Sequence, residues 1–264
     1  MTSIPLRLDD LAAEFDASPE TMGRFVQRFC PATVLPDTFS QISDTLLFVH
    51  IPKTAGVSVG KTFQATFDRF YSVQWDNIGP SFRHATRAAT YEQSRRTGRQ
   101  VIMGHFGWPE LQLWRNHDLP MKCGAIFRDP VARTVSNYNY NCSSRHPGHE
   151  TFAAKFPTLE SYARNTALDF QVNQAIGFCA SFDNILDKLV RHYTFLGITE
   201  ALADSLQHLS LSHGLRPFSV HRENVGKPAG DSIEPQVLKL IQDRTHNDRK
   251  LHRLLCRIYG ADAA

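Results

Sequence analysis

Apolar positions along this chain fall into two periods. The short unbroken runs TLLFVHI (45–51), QVIMG (100–104), KCGAIF (122–127) and YTFLGI (193–198) have the length and apolar density of strands buried on both faces. Elsewhere apolar residues recur at helical spacing, which predicts helices over 19–29, 57–67, 130–141, 181–190, 233–244 and 246–259. Strands alternating with helices imply an α/β fold of three layers, a central, mostly parallel sheet flanked by helices. Ligands in such sheets bind beyond the carboxyl ends of the strands. Three of the predicted strands are followed there by polar loops: PKTAG after 51, HFGW after 104 and RDP after 127. Three loops converging on one sheet edge make a candidate site.

Composition narrows the function classes. A length of 264 residues buries a large core, and 42% hydrophobic with 21% charged residues is ordinary for a globular protein. A net charge of +3 with no concentrated basic face argues against a nucleic-acid partner and suits a local pocket for a small polyanion. The five cysteines (Cys30, Cys123, Cys142, Cys179, Cys256) are scattered and show no metal-ligand spacing, so neither a disulfide framework nor a metal site is expected. No signal segment or run of about 20 apolar residues is read, so the expectation is a cytoplasmic chain without a membrane span.

The loop after the first strand carries the clearest chemistry. Lys53 places an ammonium beside the first turn of a helix, where backbone N–H groups from Thr54 to Ser58 can wrap an anion. Gly56 removes a Cβ where backbone must come close. The lysine precedes the glycine, so this is not GxxxxGK[ST]; a solvated lysine on an ordinary turn is the competing reading. In FRDPVARTVSNY (127–138), Arg128 ends a strand and Ser136 lies two turns into the next helix, a fork and a hydroxyl suited to a phosphate dianion. Asp129 and Arg133 read as a helix cap and a structural ion pair. His105, just past a strand in VIMGHFGW (101–108), is a candidate base, with His84, His50 and His117 as competitors.

HIPKTAGVS and FRDPVARTVSNY, about 75 residues apart, together resemble the nucleotide-binding elements of sulfotransferases that use 3′-phosphoadenosine-5′-phosphosulfate (PAPS). Their wording is similar to the carbohydrate branch that contains the heparan-sulfate 2-O-sulfotransferases. The resemblance implies a P-loop-like fold, with 44–264 a single sulfotransferase-like α/β domain behind a 1–43 N-terminal extension. It implies that Lys53, Thr54, Ala55, Gly56, Val57 and Ser58 cradle the 5′-phosphosulfate, with Lys53 on the bridging oxygen. Arg128 and Ser136 would hold the 3′-phosphate, and Gly104-His105 would match the branch's catalytic base. SVHRENVGKPAG (219–230) is similar to the element that closes over the nucleotide, through Arg222 and Lys227. The implied reaction moves a sulfuryl group from PAPS to a hydroxyl of a glycan, glycolipid or small metabolite, leaves adenosine 3′,5′-bisphosphate, and needs no metal. A P-loop-like nucleotide kinase or NTPase and a non-catalytic nucleotide binder are the alternatives.

Overall fold

The computed structural model of the chain describes residues 7–31, 45–95, 98–114, 122–215 and 233–262. Its centre is a five-stranded, all-parallel sheet of β1 (Thr45–Val49), β2 (Arg69–Val73), β3 (Gln100–Gly104), β4 (Lys122–Phe127) and β5 (Tyr193–Ile198), in the order β2-β3-β1-β4-β5. The helices among the described residues are α1 (Leu8–Phe15), α2 (Pro19–Phe29), α3 (Gly56–Thr66), α4 (Ile78–Ser94), α5 (Trp108–Trp114), α6 (Pro130–Asn141) and α7 (His149–Lys155). They continue with α8 (Leu159–Asn165), α9 (Phe170–Ile176), α10 (Phe182–His192), α11 (Leu202–Ser212), α12 (Pro235–Arg244) and α13 (His246–Tyr259).

Strand alternation builds the layers. Leu47, Val49, Ile102, Ala125 and Leu196 face one core, shared with α1, α2, α4, α9, α10 and α13. Leu46, Phe48, Val101, Ile126 and Phe195 face the other, filled by Val59 and Phe63 of α3 and by Leu206 and Leu209 of α11. Both faces of the central strands are therefore dry, which is why their sequences read as continuous apolar runs rather than as alternating ones.

Six predicted elements have the observed bounds: β3, β4, β5, α2, α6 and α13. The run 45–51 stops pairing as a strand at Val49, although the His50 N–H still donates to the Gly104 carbonyl at 2.8 Å. The pattern is silent on β2, an edge strand whose residues are mostly half-buried or exposed and so lack an apolar run. It is silent too on α1, α4, α5, α7, α8, α9 and α11. Four of these, α5, α7, α8 and α9, span only seven residues each, too short for a helical period to register.

Candidate functional site

Because β3, β1 and β4 are adjacent and parallel, the residues following Gly104, Val49 and Phe127 emerge side by side at one edge. Val49 and Gly104 are register partners, so His50 and His105 leave the sheet together. Their rings stack with centroids 4.3 Å apart. His105 Nδ1 lies 2.8 Å from the His50 carbonyl oxygen. A carbonyl only accepts, so Nδ1 carries the proton and Nε2 keeps its lone pair. Burial lowers the His105 pKa from its ordinary value, against the bond to the His50 carbonyl, which raises it. The imidazole is thus neutral at neutral pH. His50 is pushed down to about 3 by burial, with the charges of His105 and Lys53 adding to the effect. His84 is exposed on α4, and His117 lies outside the described residues.

The loop joining β1 to α3 is held in an uncommon backbone conformation. Lys53 and Ala55 both have positive φ, 72° and 62°. Left-handed non-glycine residues cost on the order of 1–3 kcal/mol each and gather at ligand sites. Gly56 is required sterically: a Cβ there would stand 1.7 Å from His50 Nε2. Thr54 is buried and closes the turn, its hydroxyl donating to the Ile51 carbonyl at 2.8 Å and its N–H to the same oxygen at 3.3 Å. The first helical bond of α3 runs from the Val59 N–H to the Ala55 carbonyl at 3.0 Å. The N–H groups from Ala55 onward therefore lie ahead of the helical ladder, at the positive end of the helix dipole. Ser58 is buried at this turn, and the Val57 side chain is exposed.

Lys53 Nζ sits 4.0 Å from the ring centroid of Tyr140 on α6. Its pKa is lowered by burial and then by the positive charges of Arg145 and Arg128. Arg128 Nη1 donates to the Lys53 carbonyl at 3.1 Å, which ties the two predicted phosphate elements together. Among the described residues none of these three cations forms an ion pair with a carboxylate. Ser136 is half-buried on α6, one turn before Tyr140, so the two share the helix face that carries Lys53.

Asp129 caps α6 as expected, accepting the Ala132 N–H at 2.7 Å. The expected ion pair with Arg133 does not form. Arg133 turns into the core instead, donates to Thr134 Oγ1 at 3.3 Å and lies with its guanidinium 4.6 Å from the Phe170 ring centroid. A residue three to four positions inside a helix faces its core side as readily as its cap, and here the core won.

Several contributors escaped the sequence reading. Neither Tyr140, whose ring receives the Lys53 ammonium, nor Arg145, whose charge acts on it, belongs to the residues that the motifs single out. The His50 main chain matters more than its ring, because its carbonyl sets the His105 tautomer. Gln171 and Gln174, one turn apart on α9, bind the loops from above. Gln174 Nε2 donates to the His50 carbonyl at 3.2 Å and approaches those of His105 and Phe106 at 3.4 Å. Only Tyr140, four residues after Ser136, carried a local signal. Arg222 and Lys227 lie outside the described residues. Among the described residues no group of three His, Cys, Asp or Glu could hold a metal ion, and no helix is long and apolar enough to cross a membrane.

No protein-family model matches the chain, and no curated protein matches it. Among solved structures it is similar to the crystal structure of mouse sulfotransferase SULT7A1 complexed with PAP, at 14% identity and a TM-score of 0.38. That likeness covers 78% of this chain and 66% of that one, just under two thirds of its length.

Proposed function

We propose that this chain is a PAPS-dependent sulfotransferase acting on a hydroxyl of a glycan, glycolipid or small metabolite. The observation that carries this reading is a pairing at one sheet edge. Three cations without carboxylate partners among the described residues, Lys53, Arg128 and Arg145, gather at the N-terminus of α3, and a neutral imidazole with a directed lone pair stands on the adjacent strand end. The first half suits a polyanionic nucleotide; the second suits proton removal from an acceptor.

In this reading N–H groups of the α3 first turn and the Lys53 ammonium receive the 5′-phosphosulfate, and Arg128 with Ser136 receives the 3′-phosphate. The acceptor oxygen attacks sulfur in line with the departing phosphate oxygen. A new O–S bond forms, the S–O bond to the 5′-phosphate breaks, and its electron pair stays on that phosphate oxygen. His105 Nε2 takes the acceptor proton, and Lys53 offsets the charge that grows on the leaving phosphate. Thr54 acts by holding the turn, and Gly56 by leaving room for His50. Arg222 and Lys227 are proposed as further phosphate contacts.

The test is calorimetry with adenosine 3′,5′-bisphosphate, ADP and ATP, followed by a PAPS-dependent acceptor screen read as the mass gain of one sulfate. Tight binding of the bisphosphate and sulfate transfer support the reading. ADP bound equally well, or binding that strictly requires Mg²⁺, would favour a nucleotide kinase. Bisphosphate binding with no transfer to any acceptor would leave a nucleotide-binding protein.

A further inference from the structure

The Arg128 peptide lies just past the sheet. β5 accompanies β4 as far as Phe127, whose carbonyl accepts the Thr199 N–H at 2.9 Å. One residue on, the place of a neighbouring strand is taken by a side chain. Gln171 Oε1 accepts the Arg128 N–H at 3.0 Å, and Gln171 Nε2 donates to the Arg128 carbonyl at 2.9 Å. A carboxamide offers one acceptor and donors in one plane, so it can satisfy both groups of a single residue as a strand would. Gln171 is fully buried, so neither bond competes with water.

Its own anchorage is unusually firm for a seven-residue helix. Asp248, buried in the first turn of α13, accepts the N–H groups of Gln171 at 3.1 Å and Val172 at 2.8 Å. Asp169, just before α9, accepts in return the N–H groups of Asn247 at 2.7 Å and Asp248 at 3.2 Å. The two helix starts cap one another. The Arg128 main chain is thereby fixed to the protein core, while its guanidinium reaches outward to the Lys53 carbonyl.

We propose that Gln171 is the positioning residue of the arginine site: it holds the Arg128 backbone so that the guanidinium bridges the Lys53 loop and meets the 3′-phosphate of the nucleotide. This rests on the functional reading above, in which Arg128 binds that phosphate. Gln171 itself touches no ligand. Its removal loosens the aim of one cation and leaves the 5′ cradle, built by residues 53–58, in place.

The test is calorimetry on the full chain with two probes, adenosine 3′,5′-bisphosphate and AMP, which lacks the 3′-phosphate. Gln171→Met is expected to lower the affinity ratio between them by about ten-fold, the loss of one well-aimed charged hydrogen bond, with AMP affinity nearly unchanged. In an Arg128→Ala background the same substitution should cost no further ratio, because its effect runs through Arg128. Gln174→Met, which removes the companion amide from the same helix, should leave the ratio alone. Should Gln171→Met not fold by circular dichroism, Gln171→Glu keeps the acceptor for the Arg128 N–H and should lose part of the ratio. An unchanged ratio in a folded Gln171 variant overturns the role, as do additive losses with Arg128→Ala or an equal fall in Gln174→Met. Equal wild-type affinity for the two probes would instead remove the 3′-phosphate reading, and this inference with it.

Discussion

The loop after β1 and the loop after β4 present a cation at the same sheet edge, yet they are held by opposite means. Residues 50–56 hold themselves, through two left-handed residues, a threonine that closes its own turn and a glycine that admits a ring six residues away in sequence. Residues 127–129 hold almost nothing locally beyond the Asp129 cap. Their N–H and carbonyl groups go to Thr199, Gln171 and Glu200, between 43 and 72 residues downstream. A self-shaped loop stores strain for a ligand's charge, whereas an externally clamped one keeps ordinary geometry and borrows rigidity from the core. The first should break by local change; the second should break from a distance.

The largest expected effect lies at His105, between the two. His105→Ala should cut turnover by roughly 10²–10⁴ while bisphosphate affinity stays nearly constant. The wild-type rate should be flat through neutrality and fall on acidification. Its midpoint should lie below the ordinary histidine value of 6.5, since burial lowers this pKa and only the neutral ring accepts a proton. A midpoint above 6.5, or a loss of nucleotide binding in the variant, would make His105 something other than the base.

Lys53→Ala comes next, with turnover lowered on the order of 10²–10³, as removal of one transition-state charge donor does. Melting temperature should hardly move, because the ammonium lies over an aromatic face at the edge of the site rather than in the core. Near-normal turnover would mean that the loop's N–H groups suffice without it.

Arg128→Ala should reduce bisphosphate affinity by roughly ten- to a hundred-fold and leave ADP binding almost untouched. Equal losses for both nucleotides would show Arg128 serving the loop through the Lys53 carbonyl rather than the ligand.

The smallest effect, and the sharpest on the comparison itself, concerns Gly56→Ala. Its Cβ would collide with the His50 ring, so the variant should lose about 1–3 kcal/mol of stability in urea unfolding. Much of that should return in a His50→Ala background, where the obstacle is gone. A full loss in the double variant would locate the need for glycine elsewhere than in this contact.

The difference between the loops also explains what could be read in the chain. The parallel sheet, its buried strands and the Lys53 loop were legible because each rests on neighbours in sequence: apolar runs, a lysine and glycine at a strand–helix junction, a proline at the first position of α6. The predicted strand ends brought Lys53, His105 and Arg128 to one edge, and the structure adds the bond from Arg128 to the Lys53 carbonyl and that from His105 to the His50 carbonyl. An edge strand half open to solvent and helices of seven residues left no periodic trace.

What the sequence determined by itself was the order of the layers and the kinds of side chain offered at the carboxyl edge. Their poise was decided only in three dimensions. The tautomer of His105 depends on the backbone of His50, 55 residues earlier, and the Arg128 main chain on an amide 43 residues later. Arg133 left its nearby acid for the core. Hydrogen bonds and burial act through distance in space, and a buried donor takes whichever acceptor the packed layers bring within about 3 Å of it.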